Sequence, residues 1–260
     1  MRALSHNPTG RVKRARVAIN IEKEWPVEWD EIRCALVVVA HPDDAEFGSA
    51  GTVARLTEDG KDVFYAIVTD GSKGSSDPKM TPEKLRALRE REQRDAAGVL
   101  GVKDVSFLGF PDGMLMPSLD VRKAITASIR MRKPDVVISQ SPIRDLSGIV
   151  FAAHPDHLAA GEACFAAVYP CARDRLTFPE LLQQGLEPHA VREIWVSGTA
   201  NPDHFVDIRD TLSRKIQALK AHESQVASRP LDDFIPERAS QMGAKAGMEF
   251  AEGFKRIEFP

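Results

Sequence analysis

Two hundred and sixty residues with 43% hydrophobic and 28% charged side chains suit one large α/β domain or two small ones, and exclude a disordered chain. Thirty-five Lys and Arg against 38 Asp and Glu leave a net charge of −3, far from the basic balance that binding to nucleic-acid phosphates requires. The longest apolar run, Cys34 to Ala40, falls well short of the roughly twenty residues a membrane-spanning helix needs, so neither a nucleic-acid partner nor a membrane span is expected.

The first twenty residues carry Arg2, Arg11, Lys13, Arg14 and Arg16 and no acid, and lack the apolar stretch and cleavage site of a secretory signal. They read as part of a basic N-terminal extension over residues 1–33, with the domain proper at 34–260. Trp25 and Trp29, ahead of the core, suit either burial of this segment on the domain or contact with a second copy, which leaves a homo-oligomer open. Cys34, Cys164 and Cys171 are odd in number and lack C-x-x-C spacing. That argues against a disulfide framework or a thiolate zinc site and fits a reducing, cytoplasmic setting.

From Cys34 onward, short β-branched runs alternate with longer helical patterns, the signature of βαβ units. The runs at 35–40, 63–68, 105–108, 136–139 and 193–197 predict buried strands. Segments 46–59, 82–100, 118–132, 156–168 and 209–223 predict helices, the last with Leu212, Ile216 and Leu219 at helical spacing. The expected fold is a single α/β domain with a Rossmann-like, mostly parallel sheet flanked by helices; the final forty residues give the least clear pattern. Such sheets bind ligands at the carboxyl ends of their strands.

The segments at those ends are rich in chemistry. His41-Pro42-Asp43-Asp44 follows the first strand, and Pro42 predicts an extended exit followed by a sharp coil into the next helix. Either aspartate could instead cap that helix. His154-Pro155-Asp156-His157 repeats the H-P-D triplet after the fourth strand. Seven histidines in a chain of this composition yield only about 0.035 such triplets by chance, so two invite a common explanation. Two imidazoles with one carboxylate are a set that zinc uses in catalytic sites, with a position left for water. His41, Asp44 and His157 are the expected ligands, provided that the two rings approach within about 8 Å. Asp43 and His154 then stand adjacent but unligated, while Asp156 either orients a neighbouring imidazole from behind or caps a helix.

Together, A-H-P-D-D at a strand end and the later H-P-D-H resemble the PIG-L/LmbE-like family of zinc-dependent N-deacetylases, a likeness that runs from about residue 34 onward. The resemblance implies Zn2+ at His41, Asp44 and His157, Asp43 as general base, and His154 as the group that stabilises the oxyanion. It also implies removal of an N-acetyl group from an N-acetylglucosamine-type amino sugar or conjugate, a small-molecule substrate. An amidase acting on a larger sugar or thiol conjugate is the neighbouring alternative. A nucleotide-binding protein is disfavoured, because no strand is followed by G-x-G-x-x-G.

Less specific family-like stretches are T-D-G-S-K-G (69–74), R-E-R-E (89–92), F-L-G-F-P-D-G (107–113), K-I-Q-A-L-K-A-H-E-S-Q (215–225) and A-E-G-F-K-R (251–256). By resemblance Arg89 and Asp112 are candidates to grip a polar group of the substrate. Their plainer readings are an exposed Arg/Glu helix face with Glu92 and a Pro-Asp-Gly turn. Some family members carry a tyrosine two residues before the first His of the later motif, where this chain has Ala152. Zinc with His154 would then suffice, or the loop at 69–76 would supply a backbone donor through Gly71 and Gly74, unless that loop is only a mobile connector.

Overall fold

In the strand β1 (Cys34–Val39) buried apolar residues alternate between two cores, Val37 and Val39 entering one while Leu36 and Val38 enter the other. A strand covered on both faces needs such a continuous apolar run. The computed structural model describes residues 26–145 and 154–259. Within them β1, β2 (Asp62–Thr69), β3 (Asp104–Phe110), β4 (Val136–Gln140) and β5 (Glu193–Ser197) pair in parallel in the order β3-β2-β1-β4-β5. Each coincides closely with a predicted run.

The helices are α1 (Asp44–Glu58), α2 (Pro82–Leu100), α3 (Leu119–Arg132), α4 (Pro155–Ala166), α5 (Pro179–Gln183), α6 (Leu212–Lys220), α7 (Glu223–Val226) and α8 (Leu231–Ala244). The boundaries follow local chemistry: Thr81 caps α2 by accepting the Lys84 N–H, and Gly101 ends it with a positive φ. Helices α1, α2, α6 and α8 contribute to one core, and α3 and α4 to the other. No described helix is long and apolar enough to cross a membrane.

Two features depart from the sequence-based expectation. The sheet gains two antiparallel strands, β6 (His204–Asp207) and β7 (Ala251–Glu258), in the order β5-β7-β6. The helix expected over 209–223 divides into α6 and α7 because His222 leaves helical geometry, at φ −84° and ψ 51°, and turns inward onto Glu46. Residues ahead of Cys34 also pack on the domain: Val27 and Ile32 are buried, the Val27 N–H donates to Glu193, and Trp29 stacks on Trp195 with ring centroids 6.3 Å apart. Residues ahead of Cys34 thus pack on the domain, and Trp29 lies half-buried against it, one of the two arrangements open from the sequence. Trp25 and the basic residues preceding it lie outside the described residues.

Strand order reverses between β1 and β4, which lie side by side at the centre of the sheet. That switch point is where a doubly wound sheet opens a crevice at its carboxyl edge. The His41 motif follows β1, and the His154 motif lies beyond β4 at the start of α4.

Candidate active site

Gln140, the last residue of β4, accepts the Ala40 N–H through Oε1 at 2.9 Å and so ties the ends of the two central strands together beneath the site. The next residue, His41, is buried, and the chain then reverses sharply at Asp43, whose φ of 96° and ψ of −26° lie in the left-handed region. Asp44 opens α1, and its Oδ2 accepts the His41 N–H at 2.8 Å. Neither aspartate caps the helix in the ordinary way. Asp43 occupies the N-cap without a side-chain bond, and the Asp44 carboxylate turns back to His41.

Helix α4 brings the second motif. His154 is its N-cap and accepts the Asp156 N–H at Nδ1, while His157 sits in the first turn. His41 Nδ1 lies 3.2 Å from His157 Nε2 and 3.3 Å from Asp44 Oδ2, and His157 Nε2 lies 3.1 Å from Asp44 Oδ1. The two rings have centroids 5.2 Å apart, inside the limit that shared coordination sets. The His154 ring stands 4.9 Å from His41 and 5.2 Å from His157.

The far nitrogen of His41 faces a second pair of carboxylates: Nε2 lies 3.1 Å from Asp112 Oδ1 and 3.2 Å from Asp156 Oδ2. Asp156, fully buried, also accepts the Gly113 and Leu115 N–H groups, so it fastens the turn after β3 to the His41 ring. Three carboxylates therefore surround one buried imidazole. Burial alone would make His41 less basic, but its bonds to Asp112, Asp156 and Asp44 push it up to about 12. Asp44 is held well below the usual carboxylate range, with burial outweighed by His157 and His41. Asp112 goes the same way, to about 2, because His41, the Lys73 N–H and Arg89 outweigh burial. Asp43 moves in the opposite direction, to about 6, through burial and the neighbouring Asp44 against Arg89, His222 and His41.

This concentration of negative charge calls for a cation, and the donor set fits a divalent metal. The atoms are imidazole nitrogens and carboxylate oxygens without thiolate, a chemistry suited to zinc and its borderline neighbours. Besides the grouping of His41, Asp44 and His157, two sets of three converge among the described residues: His41, His154 and His157, and His41, Asp112 and Asp156.

Arg89 is buried rather than exposed on its helix, whereas Asp112 does lie in the Pro-Asp-Gly turn, with Gly113 at a positive φ of 73°. Arg89 is buried, and its terminal nitrogens donate to backbone carbonyls, Nη2 to Pro42 at 2.7 Å and Nη1 to Gly71 and Lys73 at 3.2 Å each. Nη2 also lies 3.5 Å from Asp43 Oδ2. Glu92 is buried as well and accepts the N–H and hydroxyl of Ser224, so Arg89 and Glu92 are not part of the exposed face of α2, where Arg86 pairs with Glu90 instead. Asp112 commits Oδ1 to His41 and Oδ2 to the Lys73 N–H, leaving it occupied by protein groups. The 69–76 loop is accordingly pinned at Gly71 and Lys73 rather than being a loose connector, and Ala152 lies outside the described residues.

Residues not singled out from the sequence also converge here. Gln93, in the same helical face as Arg89, accepts the Asp43 N–H, and Glu46 and His222 stand behind it in a fully buried row. Gln93 directly follows the family-like R-E-R-E and His222 lies within K-I-Q-A-L-K-A-H-E-S-Q, but nothing in the sequence joined them to each other or to Glu46.

Comparison with known proteins agrees with this architecture. The family model for PIG-L, described as GlcNAc-PI de-N-acetylase, matches residues 36–168. Diacetylchitobiose deacetylase of Thermococcus kodakarensis is 32% identical over 88% of this chain and 85% of its own length. A probable N-acetyl-alpha-D-glucosaminyl L-malate deacetylase 2 of Bacillus anthracis is 30% identical over 76% of this chain and 83% of its own. Among solved structures, N,N'-diacetylchitobiose deacetylase from Pyrococcus horikoshii superposes with a TM-score of 0.81 at 30% identity, covering 88% of this chain and 85% of that one.

Proposed function

The chain belongs to the PIG-L family of de-N-acetylases, and from that premise we propose that it is a metal-dependent hydrolase that removes the acetyl group from an N-acetylglucosamine unit of a small saccharide or conjugate. One observation carries the reading: His41 Nδ1, His157 Nε2 and the Asp44 carboxylate meet within 3.3 Å of one another. The relatives that share this architecture are named for acetylated amino sugars, which supports the substrate class.

His41, Asp44 and His157 would hold the ion, with zinc the metal best matched to two imidazoles and a carboxylate. When bound, it supplies Lewis acidity to the acyl oxygen and acidity to water. The competing set on the other side of His41 is less apt, because Asp156 and Asp112 already serve backbone N–H groups and are buried on every side. Carboxylates at the outer nitrogen of a ligating histidine fix its tautomer and ring plane, and that is the role assigned to Asp112 and Asp156.

Asp43 is the proton carrier. One of its oxygens faces Arg89, and the other is left to take a proton from the attacking water and return it to the nitrogen as the C–N bond breaks. His154 would hold the charge that develops on the acyl oxygen, a role supported by its position beside both other imidazoles. Water adds to the carbonyl carbon, the amide bond breaks, and acetate and a free amine leave.

The test is direct. Purified protein is analysed for metal, and amine release is followed from N-acetylglucosamine, diacetylchitobiose and bulkier amides. About one divalent ion per chain is expected, with turnover of the acetylated sugars. Asp43→Asn should keep the ion and lose most turnover, on the order of 100-fold or more. Protein that binds no divalent metal at the site, or an Asp43→Asn variant with full activity, would overturn the reading.

A further inference from the structure

A non-glycine residue in the left-handed region is strained and persists only where its surroundings impose it. Asp43 is such a residue, and two side chains of α2 impose the turn. Arg89 takes the Pro42 carbonyl, and Gln93 Oε1 accepts the Asp43 N–H at 3.0 Å. Residues 89 and 93 are one helical turn apart and share a face. The Arg89 contact is a simple charged donor, but the Gln93 contact has a weakness. An amide can flip, and a flipped Gln93 would point its NH2 group at the Asp43 N–H, donor against donor.

What lies behind Gln93 prevents the flip. Its Nε2 donates to Glu46 Oε1 at 3.0 Å, and the other oxygen of Glu46 lies 3.0 Å from His222 Nε2. Gln93, Glu46 and His222 are all completely buried. An ionised carboxylate only accepts hydrogen bonds, so Glu46 admits one orientation of the Gln93 amide. A histidine proton at Nε2 completes the pattern by donating to Glu46. His222 is raised from its ordinary range because the bond to Glu46 outweighs burial. A carboxylate and an imidazole buried without solvent are costly to desolvate, and apolar residues of similar size would stabilise a core at least as well.

We propose that Gln93, Glu46 and His222 are positioning residues for the reaction: Glu46, with His222 behind it, sets the polarity of the Gln93 amide, which holds the Asp43 peptide in its left-handed turn and aims the carboxylate. The inference deepens the proposed function and rests on its reading of Asp43 as the proton carrier. None of the three residues is itself placed in contact with substrate.

Exchange of polarity provides the experiment. Gln93→Glu sets two acceptor-only groups face to face and should lower kcat by about 10- to 100-fold, with KM and metal content within about twofold, because a displacement near 1 Å costs that much. Adding Glu46→Gln to that variant restores a donor opposite an acceptor and should return kcat to within about fivefold of the parent. Gln93→Met, close in volume, serves if Gln93→Glu fails to fold. Rates are taken per folded, metal-loaded molecule, well below the unfolding temperature.

A purely structural network would lower the unfolding temperature and leave those rates alone. The cycle with Asp43 separates the cases further. In an Asp43→Ala background, Gln93→Met should add no loss beyond about twofold, since it acts only through Asp43, whereas an independent role would repeat its full penalty. Unchanged kcat in Gln93→Glu or Gln93→Met, or full additivity with Asp43→Ala, overturns the inference while leaving Asp43 in its role. Full activity of Asp43→Asn instead removes the premise.

Discussion

Gly161 of α4 lies against the end of β4 so closely that a Cβ on it would stand 2.5 Å from the Gln140 carbonyl oxygen and 2.9 Å from the Pro142 nitrogen. The same Gln140 holds the Ala40 N–H through its side chain, so one residue seats both halves of the site, the start of the His41 motif and the helix that carries His157. Gly161→Ala has no flexible neighbour to displace, and α4 must move. The expected result is destabilisation by about 1–3 kcal/mol together with weaker metal binding, as His154 and His157 shift away from His41. Thermal unfolding and a metal titration check it, and an unchanged metal affinity would show that the first turn of α4 is seated independently of Gly161.

The carboxylates behind His41 can be tested by the same titration. Asp112→Asn keeps the shape of the side chain but removes the charge facing His41 Nε2, where Oδ1 lies at 3.1 Å. Loss of such an outer carboxylate typically costs 10- to 100-fold in metal affinity, and saturating metal should recover much of the rate. Asp156→Asn should do more damage, because the same side chain secures Gly113 and Leu115. A rise in KM for the sugar with metal affinity unchanged would return Asp112 to the substrate-gripping role expected from the sequence.

Arg89 spans three backbone carbonyls, a task that a lysine ammonium on a single flexible stem cannot reproduce. Arg89→Lys should therefore lower stability by about 2–4 kcal/mol and reduce kcat by slackening the Asp43 turn, with little effect on KM. Steady-state kinetics beside denaturant unfolding separate this from direct substrate contact, which would raise KM and leave the unfolding midpoint in place.

These outcomes turn on how much of the site could be read along the chain. The strands β1, β2, β4 and β5 were legible because burial leaves a largely apolar run, whereas β3, expected to be buried, lies half-exposed at the edge of the sheet and showed only through its short V-S-F-L stretch. β7 was not legible, since Glu252, Lys255 and Arg256 interrupt it; Glu252 is buried against Lys215, and Arg256 reaches Glu193. His41 and His157 announced themselves as strand-end motifs, and their meeting across the switch point follows from topology. The contacts of Arg89 and Asp112 could not be read because their partners are backbone groups and an imidazole that only folding brings near. Gln93, Glu46 and His222 carried still less signal: a buried charge looks the same in sequence as an exposed one until its partner is known.

His204 offers a test remote from the site. It lies on β6, its ring 4.4 Å from Trp195, and its Nε2 is buried without a hydrogen-bond partner among the described residues. Burial and the nearby Arg256 push it down to about 4, against the upward pull of Glu193 and Asp203, so the folded protein holds it neutral. An unfolded chain protonates the same group near 6.5. Between those values the unfolded state binds more protons, and stability must fall as pH drops from about 6.5 to about 4, with no further loss from this group below that. The full contribution is up to about 3 kcal/mol. His204→Phe keeps an aromatic ring against Trp195 and abolishes the titration. Relative to the parent, the variant should gain stability steadily as pH is lowered from 6.5 to 4 in urea unfolding, and a difference between the two that is flat across that window would show that His204 titrates normally in the fold.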